Sequence, residues 1–186
     1  MPPKAKFTKE QIVAAALDIV REQGIDAVTA RELGARLGSS ARPIFTVFAS
    51  MEEVMGEVIL AAKACYKEYI DEGLAEKVPF KGVGMQYIRF AKEEPELFKL
   101  LFMTEKENIP EGFDAMAAVD DNYKRILKSV QEPFHLTEER AKKIYRHLWI
   151  YTHGIAVLFA GGISSFSEEE INDLISEIFS GLIKNN

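Results

Sequence analysis

Apolar residues recur at intervals of three and four along almost the whole chain of 186 residues, which is the spacing of amphipathic α-helices. No stretch alternates as a strand does, and the sequence holds no hairpin signal such as Asn-Gly. The pattern therefore predicts an all-α fold of about nine helices. Three form a head over residues 1–50, and six form a bundle over residues 51–186.

Caps and glycines mark the predicted helix ends. Three capping boxes, in which a hydroxyl side chain is followed three residues later by Glu or Gln, are Thr8/Gln11, Thr29/Glu32 and Ser50/Glu53. Gly24 and Gly38 are expected to end the first two helices, Gly38 in the left-handed conformation. The helix that opens at Ser50 is expected to reach about Gly73. The later helices are predicted at 80–93, 95–104, 114–131, 138–162 and 168–184, the last two capped by Thr137 and Ser167.

A short third helix is predicted after Gly38, opened by a serine, with Pro43 tolerated in its first turn. Two short helices joined by a Gly-Ser-Ser turn, with a third helix to bury them, predict a helix-turn-helix. The second helix of such a pair enters the DNA major groove. Because any three-helix bundle can produce the same pattern, a purely structural role stays open.

The charge is unevenly distributed. The net charge is −6, but residues 1–50 carry +2 and residues 51–186 carry −8, so the basic residues that DNA requires are at the front. The single cysteine, Cys65, cannot form an internal disulfide, and the first residues do not read as a signal peptide. The longest apolar run, 154–163, is too short to span a bilayer. We therefore expect a cytoplasmic protein with no membrane partner.

Residues 8–60 resemble the N-terminal DNA-binding domain of the TetR family of transcriptional regulators, with the spacing of the family pattern preserved. The positions that carry the resemblance are Gly24, Val28-Thr29, Leu33-Gly34, Leu37-Gly38-Ser39-Ser40, Phe45, Phe48 and Glu52-Glu53-Val54. Segments 90–98 and 149–154 also resemble recurring parts of the family's C-terminal half. The resemblance implies a homodimer that binds double-stranded operator DNA as a repressor and is released by a small-molecule effector.

Three positions depart from the family pattern. Phe45 stands where the family usually has Tyr, Val47 where it has His, and Met51 where it has Lys. The family's Tyr hydroxyl and Lys commonly contact DNA phosphates, and Phe45 and Met51 cannot make that hydrogen bond or supply that charge. The expected DNA contacts are Lys4, Lys6, Thr29, Ser39, Ser40, Ala41, Arg42, Phe45 and Thr46. Arg42 is the candidate for reading a base, with a phosphate contact or a solvated arginine as the alternatives, and a relative that has lost DNA binding stays open.

Aromatic residues concentrate in the predicted bundle, since residues 80–160 hold 12 of the 19 in the chain. Such side chains either fill a helical core or line a pocket for an apolar or aromatic effector, and the resemblance favours the pocket. The candidate ligand-binding residues are Tyr66, Met85, Phe90, Phe98, Phe102, Met103, Met116, Tyr123, Trp149 and His153. A cationic ligand is the alternative that the acidic excess allows.

The last two helices carry more apolar residues than one buried stripe needs, which predicts a twofold dimer interface. Its candidate residues are Ile150, Val157, Leu158, Ile171, Leu174, Ile178 and Phe179. No catalytic residue, metal site or cofactor is predicted, because the three histidines lack metal-ligand spacing and no Gly-rich phosphate loop is present. The sequence predicts a ligand-responsive DNA-binding regulator, with an all-α ligand-binding or interaction protein as the alternative.

Overall fold

Eight α-helices and two turns of 3-10 helix form the regular structure in the computed structural model, which describes residues 5–104, 120–163 and 165–184. No strand occurs within these ranges, and none of their helices is long and apolar enough to cross a membrane. The all-α prediction is confirmed. The helices are α1 (Lys9–Gln23), α2 (Ala30–Arg36), α3 (Met51–Leu74), α4 (Pro79–Glu93), α5 (Pro95–Phe102), α6 (Tyr123–Gln131), α7 (Glu138–Ala160) and α8 (Glu168–Lys184).

The helix starts follow the predicted caps. Thr8 Oγ1 accepts from the Gln11 N–H at 3.2 Å, and Gln11 Oε1 accepts from the Thr8 N–H at 2.9 Å, which is the full reciprocal pair. Thr29, Ser50, Thr137 and Ser167 each accept from the N–H three residues later. At α3 the reciprocal bond is shifted, because the Glu53 carboxylate accepts from the Ala49 N–H at 2.6 Å and not from that of Ser50.

The predicted short third helix of the head is a 3-10 helix, Ile44–Thr46, with Pro43 as its N-cap residue and no side-chain cap, so the predicted serine cap is wrong. Ile44 and Thr46 donate their N–H groups to carbonyls three residues back, at 3.1 and 3.2 Å. In a helix capped by Ser40 the first i→i−4 bond would join the Ile44 N–H to the Ser40 carbonyl, but Ile44 bonds Ala41 instead. The chain closes tighter i→i−3 bonds in its place.

Three of the predicted later helices are also shorter than expected. Helix α5 ends at Phe102 and not at residue 104. Residues 120–122 are not helical and α6 begins at Tyr123, because Asp120 Oδ1 accepts from the Asn122 N–H at 2.8 Å and so holds a turn. Helix α7 ends at Ala160, where Gly161 and Gly162 follow and Gly162 has φ +67°. The predicted start of the earlier helix at 114 lies outside the described residues.

The chain divides into two compact units. The first unit takes Met1–Cys65 and Glu96–Met103, and the second takes Tyr66–Pro95 and Thr104–Asn186. In the first unit the buried apolar residues come from α1, α2, the 3-10 turn, α3 and α5, among them Ile12, Ile19, Leu33, Ile44, Phe48, Val58 and Phe98. In the second unit α4 packs against α6, α7 and α8. The functional boundary predicted at residue 50 stays a prediction.

Candidate functional site

The first candidate site is the segment 38–46, which follows α2 in the first unit. Gly38 has φ +61°, the left-handed conformation predicted for it. The Ser39 N–H donates to the Gly34 carbonyl at 2.8 Å. A Cβ at Gly34 would lie 2.9 Å from Ala41 N and 2.9 Å from the Ser40 carbonyl carbon. Glycine at position 34 therefore lets the segment pack directly onto the backbone of α2.

This segment presents a continuous exposed face. The side chains of Ser40, Arg42 and Thr46 are exposed, and the Phe45 ring is 46% exposed. Ser39 and Ala41 are half-buried, and Ser39 Oγ accepts from Lys6 Nζ at 3.1 Å. Thr29, at the start of α2, is exposed as well. Lys4 lies outside the described residues.

Ion pairs engage other basic residues of the first unit. Arg36 binds the Glu22 carboxylate of α1 through both terminal nitrogens, a bidentate geometry. Lys9 pairs with Glu57 at 2.8 Å. Arg42, by contrast, is exposed and enters no ion pair within the described ranges.

The second candidate site is a small cavity in the second unit. It encloses about 30 Å³, which is about the volume of one water molecule. Helices α3, α4, α6 and α7 and the turn before α6 provide its walls. The lining residues are Tyr66, Phe80, Val83, Gly84, Tyr87, Asp120, Ile126, Tyr145, Leu148, Trp149 and Thr152.

The polar groups of this cavity form a short network. The Tyr66 hydroxyl donates to Asp120 Oδ2 at 2.8 Å, and the Tyr87 hydroxyl is hydrogen-bonded to His153 Nδ1 at 2.9 Å. The Tyr145 hydroxyl is buried and has no hydrogen-bond partner in the described part of the chain. Such an unpaired buried group is unfavourable, so the network has room for a further polar atom.

Burial dominates the electrostatics here. It raises the pKa of the Asp120 carboxyl above its ordinary value, because ionisation in a low-dielectric environment is costly. It also raises the pKa of Tyr66, Tyr87 and Tyr145, and it lowers the pKa of His153. At neutral pH the three hydroxyls and the imidazole are therefore uncharged, and Asp120 is the one group of this network that can carry charge.

Part of the predicted ligand set gathers around the cavity. Tyr66 and Trp149 line it. Three more predicted residues pack against lining residues: the ring centroids are 4.8 Å apart for His153 and Trp149, 5.0 Å for Tyr123 and Tyr145, and 5.3 Å for Phe90 and Tyr66. The other predicted residues are elsewhere. Met85 lines a separate, open groove on the second unit, Phe98, Phe102 and Met103 belong to the first unit, and Met116 lies outside the described residues.

The predicted interface residues divide by exposure. Ile171 and Phe179 are buried within their own unit, where Phe179 packs against Phe80 with ring centroids 5.7 Å apart. Ile150 is 50% exposed. Val157, Leu158, Leu174 and Ile178 are half-buried. A partner subunit can therefore reach these last five and not the first two, and the interface itself stays a prediction.

Nine of the eleven lining residues were not predicted, and four of the nine are polar: Tyr87, Asp120, Tyr145 and Thr152. Tyr87 and Tyr145 repeat the apolar spacing of their helices and give no separate signal. Asp120 is one carboxylate among many in an acidic region, yet it is 3% exposed. The adjoining Asp120-Asp121-Asn122 run, which is typical of a turn before a helix, was the available signal for a side chain held by local hydrogen bonds.

Together, a helix-turn-helix in one unit and a helical bundle in the other define the class of DNA-binding regulators with a separate C-terminal domain. The family model described as bacterial regulatory proteins, tetR family, matches residues 12–58. The model described as tetracyclin repressor-like, C-terminal domain, matches residues 80–181, more than half of the chain. The chain therefore belongs to the TetR family, whose members are transcriptional regulators and not enzymes.

Solved structures show the same fold at low sequence identity. A protein of unknown function from Rhodococcus sp. RHA1 is 18% identical, with a TM-score of 0.72 over 99% of this chain and 97% of that chain. A TetR-like transcriptional regulator from the same organism is 14% identical, with a TM-score of 0.66 over the full length of both. The flavonoid-responsive regulator FrrA is 17% identical, with a TM-score of 0.61 over 95% of each chain. No curated protein matches the sequence.

Proposed function

We propose that this TetR-family regulator is a repressor that a small molecule releases from its operator, with the effector bound in the cavity of the second unit. The observation that carries the proposal is the buried Tyr145 hydroxyl, which has no hydrogen-bond partner among the described residues and lines the same cavity as the buried Asp120 carboxylate. A buried polar network that lacks one partner gains a hydrogen bond when a ligand enters.

The DNA half of the proposal rests on the exposed face of segment 38–46. Arg42 offers donors to base edges or phosphates, and the exposed Phe45 ring offers apolar contact to a thymine methyl. The Thr46 hydroxyl donates to the Pro43 carbonyl at 2.7 Å, so its oxygen is proposed as an acceptor. Ser39, Ser40 and Thr29 are proposed to contact phosphates and set the register. Because Met51 supplies no charge, few ionic phosphate contacts are expected in each subunit.

The ligand half rests on the size of the cavity. With room for about one water molecule, it admits an effector only if its walls move apart. Tyr66, one of those walls, lies on α3, which contributes residues to both units. We propose that displacement of Tyr66 alters the helix-turn-helix through α3, so that two heads no longer meet successive major grooves about 34 Å apart.

A dimer is the remaining requirement, because two heads are needed to bind a twofold-symmetric operator. Ile150, Val157, Leu158, Leu174 and Ile178 keep apolar surface exposed on α7 and α8, which pack against each other. An apolar surface of this kind on paired helices suits an isologous interface with a second copy.

The function is tested with labelled duplex DNA taken from upstream of the gene. Fluorescence anisotropy at several salt concentrations, beside a scrambled duplex of equal length, measures affinity and specificity. We expect specific binding that weakens with salt, together with release by compounds that change the fluorescence of Trp149, the only tryptophan in the chain.

Binding that is weak and equal for both duplexes would contradict the DNA half and favour a ligand-binding protein that has lost DNA binding. Specific binding that persists under every compound that alters Trp149 fluorescence would contradict the release mechanism alone.

A further inference from the structure

The charge of the cavity limits which effector it can hold. Asp120 is 3% exposed and has no cationic partner among the described residues. Its carboxylate accepts one bond from the Tyr66 hydroxyl and one from the Asn122 N–H. Hydrogen bonds to Tyr66 and Asn122 do not offset the cost of burying a charge, so a positive group is the partner that the described lining lacks.

Aromatic rings surround this carboxylate. Tyr66 and Tyr87 meet edge to face with centroids 6.0 Å apart, and Trp149 stacks on His153 at an interplanar angle of 8°. Tyr66, Tyr87 and Trp149 all line the cavity. Faces of Trp and Tyr attract cations, most strongly when water is excluded. The rings therefore favour a positively charged ligand, as the carboxylate of Asp120 does.

The remaining polar atoms of the cavity also favour a positively charged ligand. The Tyr145 hydroxyl is free to accept a hydrogen bond, whereas the Thr152 hydroxyl already donates to the Trp149 carbonyl at 3.1 Å. A ligand with two or more N–H donors can bond both Asp120 and Tyr145 Oη. An anionic ligand would face Asp120 without any basic side chain in the lining set.

From these observations we infer that the effector of this cavity is a small organic cation, with an ammonium group held by Asp120 and Tyr145 and an apolar body against the aromatic rings. The inference rests on the proposed function only in taking the cavity as the effector site. A neutral aromatic compound, such as a phenol, is the competing class.

The test compares three compounds of similar size: 2-phenylethylamine, 2-phenylethanol and 4-ethylphenol. At pH 7.5 the amine is protonated, because aliphatic amines titrate near lysine. Titration of the full-length protein is followed by Trp149 fluorescence and confirmed by calorimetry. We expect the amine to bind at least about tenfold more tightly than either neutral compound, as a desolvated cation–π and charge contact allows.

Asp120→Asn then isolates the carboxylate, with Asp173→Asn, an exposed aspartate on α8, as the control for lost negative charge. We expect Asp120→Asn to remove the tenfold preference for the amine and Asp173→Asn to keep it. Circular dichroism and thermal melting establish that both variants fold. If Asp120→Asn does not fold, the comparison of the three compounds on the unmodified protein still decides the inference.

Equal or tighter binding of the alcohol or the phenol would overturn the inference, and so would failure of all three to bind. An amine preference that survives in a folded Asp120→Asn variant would overturn it too. DNA anisotropy in the same samples separates the two proposals. If the amine binds without releasing DNA, the inference about the effector stands and the proposed release of DNA by the effector is wrong. If DNA binding is specific while no amine binds, only the inference fails.

Discussion

The two units of this regulator place their polar groups in opposite ways. In the first unit the candidate DNA-contacting side chains are exposed, on a short segment held by local backbone bonds and by Gly34. In the second unit the polar groups are buried, and they come from four helices and a turn. Water satisfies the polar groups of the first site until DNA replaces it, whereas the described residues leave a buried hydroxyl of the second without a partner.

This difference has an energetic consequence. Exposed groups cost little when they lose a partner, so changes to the exposed side chains of segment 38–46 should alter DNA affinity and leave folding almost unchanged. Buried groups act on stability and binding together. The predictions below use this contrast, in order of decreasing expected effect.

The largest effect is expected on the outer face of the second unit. Leu174→Glu combined with Ile178→Glu would bury charges in the proposed interface, which raises the dimer dissociation constant by about a thousandfold or more. Sedimentation velocity and size exclusion should then show monomers with weak operator binding. Ser180→Glu, exposed on the same helix, is the matched control and should remain dimeric. A dimer that persists in the double variant would place the interface elsewhere.

A change at Gly34 is expected to affect folding as well as DNA binding, because Gly34 is buried beneath an exposed segment. Gly34→Ala would place a Cβ 2.9 Å from backbone atoms of residues 40 and 41, so we expect a loss of about 1–3 kcal/mol in the free energy of unfolding and a loss of DNA binding. Gly56→Ala is the control, since a Cβ there meets nothing within 4 Å. The control should gain up to about 1 kcal/mol from the helix propensity of alanine. Urea unfolding measures both, and equal stabilities would contradict the close packing.

The same contrast explains what sequence could and could not predict. Thr8, Thr29, Thr137 and Ser167 act on backbone groups three residues away, so a short window of sequence contains the whole interaction. The pairing of Tyr66 with Asp120 joins residues 54 positions apart, and no local pattern announces it. The local pattern predicted a short third helix but not its type, since the N–H groups of Ile44 and Thr46 bond carbonyls three residues back and form a 3-10 helix.

At the exposed site, Arg42→Ala should weaken specific DNA binding by about 1–3 kcal/mol and relax preference at one base pair. Because Arg42 is exposed, the melting temperature should hardly change. Anisotropy with a panel of single-base operator variants measures both effects, with Lys128→Ala, exposed on α6, as the control for lost positive charge. A uniform loss over the whole panel would indicate a phosphate contact.

Restoring the lysine of the family pattern tests position 51. Met51→Lys should tighten DNA binding and steepen the salt dependence by up to about one unit per subunit, because a new phosphate contact releases one more counterion. Met51→Gln keeps the length of the side chain without the charge and is the matched control. The salt titration of anisotropy gives the slope, and an unchanged slope in the lysine variant would show that residue 51 does not face the DNA backbone.

The smallest effect is expected at the buried carboxylate, and pH reveals it. Burial raises the pKa of Asp120 in the folded chain, so the unfolded chain releases this proton at a lower pH than the native chain does. Between the ordinary and the raised value the native state binds more protons, and the contribution of Asp120 to the free energy of unfolding therefore falls as pH rises. Asparagine does not titrate. The stability of Asp120→Asn relative to wild type should accordingly improve as pH rises from below the ordinary pKa of an aspartate towards neutrality.

Urea unfolding at a series of pH values measures the difference, beside Asp173→Asn, which reports the general effect of removing one negative charge. A bound cation should reverse this pH trend in the wild-type protein, because it stabilises the ionised carboxylate. If the relative stability does not change with pH, Asp120 is less isolated from solvent and from positive charge than its burial indicates.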